Sequence, residues 1–142
     1  MKLINILICA LMLLSCSQKK GPEGVLKSYI DKRFSSGIDK EEFSEFFGGT
    51  MLEDLETVDE SVVGKMNKIK DYKKTSFTVN FKKCTEQKCF LTYTLSFDAK
   101  AEAGETEKKV AVKVKKVAEL QKENKTWKIH DISDVKTHFD YK

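Results

Sequence analysis

Residues 77–97 read Phe-Thr-Val-Asn-Phe-Lys-Lys-Cys-Thr-Glu-Gln-Lys-Cys-Phe-Leu-Thr-Tyr-Thr-Leu-Ser-Phe. Phe77, Val79 and Phe81 alternate with Thr78, Asn80 and Lys82, and Leu91, Tyr93, Leu95 and Phe97 alternate with Thr92, Thr94 and Ser96. A period of two with one apolar face predicts half-buried strands, and the polar Thr85–Lys88 between them predicts a hairpin. Val110, Val112 and Val114 continue the pattern. It slips at Lys115-Lys116, where Val117 resumes out of phase; this predicts a bulge, and hence a bend, in the third strand. Glu123-Asn124-Lys125 reads as a turn, and Trp127 and Ile129 begin a fourth strand. Consecutive half-apolar strands predict an antiparallel meander with one covered face.

What covers that face lies upstream. Gly21-Pro22 opens a helix with Val25, Leu26, Tyr29, Ile30 and Phe34 at helical spacing, and Ser35-Ser36-Gly37 stops it. Asp39 with Glu42 makes a capping pattern before Phe43, Phe46 and Phe47, and Gly48-Gly49 ends that short helix. Thr50 with Glu53 repeats the pattern before an apolar series from Met51 to Met66, one helix or two, since Asp59 offers a second cap. The expected fold is α+β, with N-terminal helices packed on a bent four-stranded antiparallel sheet. A polar tail is expected from about residue 134.

Farther upstream the chemistry changes. Lys2 precedes an almost unbroken apolar run, Leu3 to Leu14, interrupted only by Asn5. The run is shorter than the roughly 20 residues a spanning helix needs, and it breaks abruptly into polar sequence at Ser15. It reads as the core of an export signal. Its end, Leu13-Leu14-Ser15-Cys16, resembles the lipobox of bacterial lipoproteins. The resemblance implies cleavage between Ser15 and Cys16, and diacylglycerol transfer to the Cys16 sulfur. Two or more acyl chains suffice for stable anchoring. The expected organisation is a signal peptide at 1–15, a lipidated tether at 16–21 and one domain at 22–142. The spacer after Cys16 reaches at most ~18 Å, so the domain sits close to the bilayer. The implied location is a bacterial cell envelope, lipid-anchored, with the outer membrane favoured by Ser17.

Of four cysteines, Cys9 leaves with the signal and Cys16 takes lipid. Cys84 and Cys89 remain, and export brings them to an oxidising compartment where a bridge is expected. Cys89 shares the phase of Leu91, whereas Cys84 is out of step with Phe77, Val79 and Phe81. The turn must break the alternation for the sulfurs to meet. A zinc site recruiting His130 and His138, or a redox pair, are the alternatives. Structural zinc prefers tighter paired spacing and redox pairs usually read Cys-x-x-Cys.

The order of elements, with Val25 to Phe34 before the sheet and Lys125-Thr126-Trp127-Lys128-Ile129 in the last strand, resembles the nuclear transport factor two-like (cystatin-like roll) lipoproteins of bacterial envelopes. Asn124-Lys125 stands where the family's turn usually carries Gly. The resemblance spans about 22–133. It implies a cone between helices and sheet, in which some members place an Asp or His for isomerase or dehydratase chemistry. Asp131 is the candidate base, in phase with Trp127 and Ile129, while His130 points to the other face.

No Gly-x-Ser-x-Gly, phosphate-cradling Gly-rich loop or cofactor motif stands in the chain. The formal charge of +4 falls to +3 once Lys2 leaves, too little to imply nucleic acid. A basic row (Lys109, Lys113 and Lys115, with Lys108, Lys116 and Lys122 nearby) follows acidic Glu102, Glu105 and Glu107. It reads as a solvated sheet face, or as a contact for anionic headgroups. The functional expectation is a non-catalytic binding module whose partner is another envelope protein. The alternative is a pocket for a small apolar ligand built from Phe43, Phe46, Phe47 and Trp127, and a third reading is an Asp131-based isomerase or dehydratase.

Overall fold

The computed structural model describes residues 20–100 and 109–141. The expected signal peptide, the Ser15/Cys16 cleavage and lipidation site, and most of the tether lie outside the described residues. α1 (Pro22–Ser35) begins with Pro in its first turn, where the missing N–H costs nothing. A 3-10 turn (Lys40–Glu42) and the single turn α2 (Phe43–Phe46) follow. Asp39 and Glu42 form the expected capping box, in which the Asp39 N–H donates to Glu42 Oε2 at 3.1 Å. The next apolar series is two helices, α3 (Gly49–Thr57) and α4 (Glu60–Met66), divided by extended Val58, with Asp59 at the second N-cap. Gly48, not Thr50, is the N-cap of α3. A 3-10 turn (Asn67–Asp71) leads into the sheet.

The sheet is an antiparallel meander in the order β1-β2-β3-β4, with β1 Lys73–Cys84, β2 Lys88–Lys100, β3 Lys109–Glu123 and β4 Thr126–Tyr141. The α+β expectation holds: helices lie on one face and the other is open. The core joins Val25, Leu26, Tyr29 and Ile30 of α1 to Leu91, Tyr93 and Leu95 of β2, Val112, Val114, Ala118 and Leu120 of β3, and Ile129 of β4. Two ion pairs tie α1 to β1: Glu23 to Lys82 at 3.0 Å, and Asp31 to Lys74. Among the described residues no helix is long and apolar enough to cross a membrane.

Three expectations about strand phase change. Val110, Val112, Val114, Ala118 and Leu120 are all buried, so β3 keeps its alternation, and its pairing with β2 is continuous through Lys115 and Lys116. Lys116 occupies a place on the helix-covered face and pairs with Asp134 at 2.5 Å, while Val117 takes the open side. The bulges sit instead on β4, at His130 and Val135, each the extra residue where the register against β3 shifts. In β1 the phase breaks at Asn80, inside the strand rather than in the turn. Phe81 is thereby sent to the open face, 61% exposed, and Cys84 falls directly opposite Cys89. The tail expected from residue 134 is also corrected: β4 pairs with β3 out to Tyr141, opposite Val110.

Candidate functional site

The four aromatic pocket candidates do not form one pocket. Phe43 and Phe47 are each 1% exposed and fill the layer between helices and sheet. Phe47 meets Tyr29 edge-on at 5.1 Å and Phe43 at 6.1 Å, geometries that aromatic cores favour. It also makes a short parallel bridge to Ile129. Only Phe46 and Trp127 reach a groove, of about 280 Å³, beside Val25 and Ser28. The Lys122 ammonium lies 5.2 Å from the Trp127 ring centroid.

A second cleft, of about 310 Å³, opens on the helix-covered face where α1, the Asn67–Asp71 turn and the sheet meet. Tyr29, Arg33, Tyr93, Lys116 and Ile132 bound it. The Arg33 guanidinium stands 5.6 Å from the Tyr29 ring centroid and its Nη2 donates to the Met66 carbonyl at 3.3 Å. Burial raises the pKa of both Tyr29 and Tyr93, so both stay neutral phenols at physiological pH. Apolar walls, two phenols and the Arg33 guanidinium suit a small amphipathic molecule with a negative head, while Lys116 at the edge is already paired with Asp134. Sequence reading used these tyrosines only as core; Arg33 in step with Tyr29 on α1 was the available signal.

Asp131 is not on the covered face. The extra residue at His130 shifts it opposite Glu119 on the open side, where it is exposed and accepts a hydrogen bond from Ser133 Oγ at 2.6 Å. Asp131 thus faces solvent rather than an apolar wall between helices and sheet, where the resemblance implied a base. His130 lies against Gly49, and its Nε2 sits 2.6 Å from Glu123 Oε1. The Glu123 carboxylate in turn abuts Gly48, where any Cβ would collide with it. Gly49 has φ +56 and a Cβ there would come within 2.7 Å of the His130 ring. Gly48-Gly49 is therefore a close approach of the helical layer to the base of β3–β4 as well as a helix boundary. At Gly49 the positive φ favours glycine, whereas at Gly48 a Cβ would have to displace the Glu123 carboxylate.

Cys84 and Cys89 are joined by a disulfide across the β1–β2 hairpin. Their sulfurs are therefore not available to a zinc site, and among the described residues no group of three or more His, Cys, Asp or Glu is placed to hold a metal. The basic row divides. Lys113 and Lys115 face outward, Lys116 turns inward and Lys122 stacks on Trp127. On the open face Lys113 and Lys115 meet His138 and Lys136 of β4, residues within the expected polar tail. Lys108 and the acidic Glu102, Glu105 and Glu107 lie outside the described residues.

No family model matches this chain, and no curated protein matches it. Among solved structures, the intermembrane space region of chloroplast protein ARC6 is similar in fold. The two share 15% identity with a TM-score of 0.58, over 80% of this chain and 92% of that one. A likeness at this identity concerns the fold alone.

Proposed function

We propose that this chain is a membrane-anchored bacterial envelope lipoprotein whose single α+β domain, a cystatin-like roll of the nuclear transport factor two-like kind, works by binding another envelope protein rather than by catalysis. The observation that carries the reading is Leu13-Leu14-Ser15-Cys16 at the end of an apolar run, followed within six residues by the first helix at Pro22. Acyl chains on Cys16 and so short a spacer hold the domain at the bilayer surface. The packed Phe43 and Phe47 and the solvated Asp131 support surface binding over chemistry in a cone. Cys16→Ser in the full chain tests the anchor. The expected result is release from the membrane fraction, and continued tight membrane association would overturn it.

A second reading has its own observation. The cleft bounded by Tyr29, Arg33, Tyr93 and Lys116 supports binding of a small amphipathic molecule. Native mass spectrometry of the protein extracted in mild detergent tests this. A stoichiometric added mass that Arg33→Ala removes is the expected result. A protein that carries no added mass overturns it.

A further inference from the structure

We propose that the open face of the sheet carries a binding site for a phosphate-type anion, formed by Lys113 and Lys115 of β3 with Lys136 and His138 of β4. The register sets Lys115 directly opposite Lys136, and Lys113 directly opposite His138. Directly opposed residues stand about 5 Å apart between Cβ atoms, and same-face neighbours along a strand about 7 Å apart. The four side chains thus mark the corners of a small rectangle. With Thr94 they line a depression of about 340 Å³. The Thr94 hydroxyl is committed to Asn80 Oδ1 at 2.6 Å, which leaves recognition to the basic groups.

Two features set this rectangle apart from an ordinary solvated face. The first is its lack of compensation. Four other lysines of the sheet pair with carboxylates (Lys74 with Asp31, Lys82 with Glu23, Lys88 with Glu119 and Lys116 with Asp134), and Lys122 and Lys128 rest on the Trp127 ring and on backbone carbonyls. Lys113, Lys115, Lys136 and His138 are all exposed, and none has an ion-pair or hydrogen-bond partner among the described residues. Asp98 and Asp140 flank the site one row away, opposite Ala111, and a neutral row of Thr92, Val117 and Ser133 bounds the other side. Like charges directly opposed across strands are unfavourable until an anion is present.

The second feature is the bulge at Val135. Asp134 pairs with Lys116, and the extra Val135 places Lys136 opposite Lys115. Without it, Lys136 and His138 would lie opposite Val114 and Val112 and face the helix-covered side. Bulges commonly re-aim side chains beside functional sites. The same bulge sends Phe139 and Tyr141 to the covered face, but they remain 54% and 73% exposed, so apolar burial gains little from it. What the bulge achieves is the convergence of four basic side chains. Lysines bind phosphate oxygens as mobile point charges, and His138 adds a donor in either protonation state.

The shared chemistry is a phosphate or diphosphate group, whether free or on a lipid headgroup. The test follows the backbone amide resonances of Lys113, Lys115, Lys136 and His138 in the full chain held in neutral detergent, titrated with inorganic pyrophosphate. A parallel arm places the chain in bicelles of phosphatidylcholine, with and without phosphatidylglycerol. Saturable shifts at these four positions with pyrophosphate assign the site to a soluble phosphate. Shifts that need phosphatidylglycerol assign it to a headgroup. The variant K115Q/K136Q is expected to weaken the response ~10-fold or more, as loss of charged hydrogen bonds does. K83Q removes one charge from the same face outside the rectangle and is expected to leave the response unchanged. No shift in either arm, or equal weakening by K83Q, overturns the proposal.

Discussion

The two hairpins that close at the same end of the sheet are held in different ways. β1–β2 turns through Thr85–Gln87 and is clamped by the Cys84–Cys89 disulfide. β3–β4 turns through only Asn124 and Lys125, at φ 47 and φ 66, and has no covalent link. The difference follows what each can bury. No residue of β1 is fully buried, and its register shifts twice along the edge of the sheet. β3 buries Val110, Val112, Val114, Ala118 and Leu120. The base of β4 is further covered by Phe47 and by the Gly48 N–H, which donates to the Ile129 carbonyl at 3.0 Å. β2 buries Cys89, Leu91, Tyr93 and Leu95, so the contrast lies in the bare outer strand β1. Its hairpin has a covalent clamp, whereas the base of β3–β4, which Phe47 and Gly48 cover, has only a tight turn. A backbone bond from Lys122 N–H to the Gln87 carbonyl, 2.8 Å, joins the two ends.

The strongest way to break this contrast is to remove the cover. Phe47→Ala empties the space between Tyr29, Phe43 and Ile129 and is expected to cost about 3–5 kcal/mol by chemical denaturation. A cost below that of losing the disulfide would show that the helical layer is not what secures β3–β4. Replacing Cys84 and Cys89 together by Ser is expected to cost about 2 kcal/mol, given the short loop closed. The loss should fall on β1–β2, read as faster amide exchange at Phe81–Phe90 with Val112–Leu120 little changed. A uniform loss across both hairpins would erase the distinction.

The turn of β3–β4 gives a smaller effect of opposite sign. Both central residues have positive φ, the demand of a two-residue hairpin turn, and Gly meets it best at the second position. Lys125→Gly is expected to raise stability by about 0.5–1 kcal/mol, as relief of left-handed strain outweighs the entropy of Gly. A destabilisation would mean that Lys125 contributes a contact beyond its backbone.

Helices, strand order and the cysteine pairing were legible because each leaves a local pattern. The phase of side chains past a bulge was not, since the inserted residue is written in the same alphabet as its neighbours. Phe77-Val79-Phe81 reads as unbroken alternation although Asn80 interrupts it. The out-of-step Cys84 was the signal, and it located the break within the strand once the pairing was known. Likewise Ile129 and Ile132, three apart, both lie toward the core, which requires an extra residue between them and puts Asp131 outside. Lys116 hid the continuity of β3, because a lysine on the covered face looks like a slip in an apolar pattern. The rectangle of Lys113, Lys115, Lys136 and His138 depends on cross-strand register, which no single-strand pattern encodes.

The smallest effect concerns the seam between the hairpins. Lys88 of β2 lies 2.7 Å from Glu119 of β3, and Gln121 Nε2 donates to the same carboxylate at 2.8 Å. The bond from Lys88, then that from Gln121, holds the Glu119 carboxyl below its ordinary pKa of 4.5. A lowered carboxylate contributes stability above its unfolded value and loses that contribution as pH falls through 4.5 toward the folded value. The pair is partly exposed, so solvent screening limits it to a few tenths of a kcal/mol. Glu119→Gln should therefore lower stability slightly at pH 7 and not at pH 3, and should flatten that part of the acid unfolding curve. The disulfide variant combined with Glu119→Gln sharpens the contrast further. If the seam carries β1–β2 once the clamp is gone, the combined variant loses more than the sum of the two single losses. If the helical layer alone organises the sheet, they add.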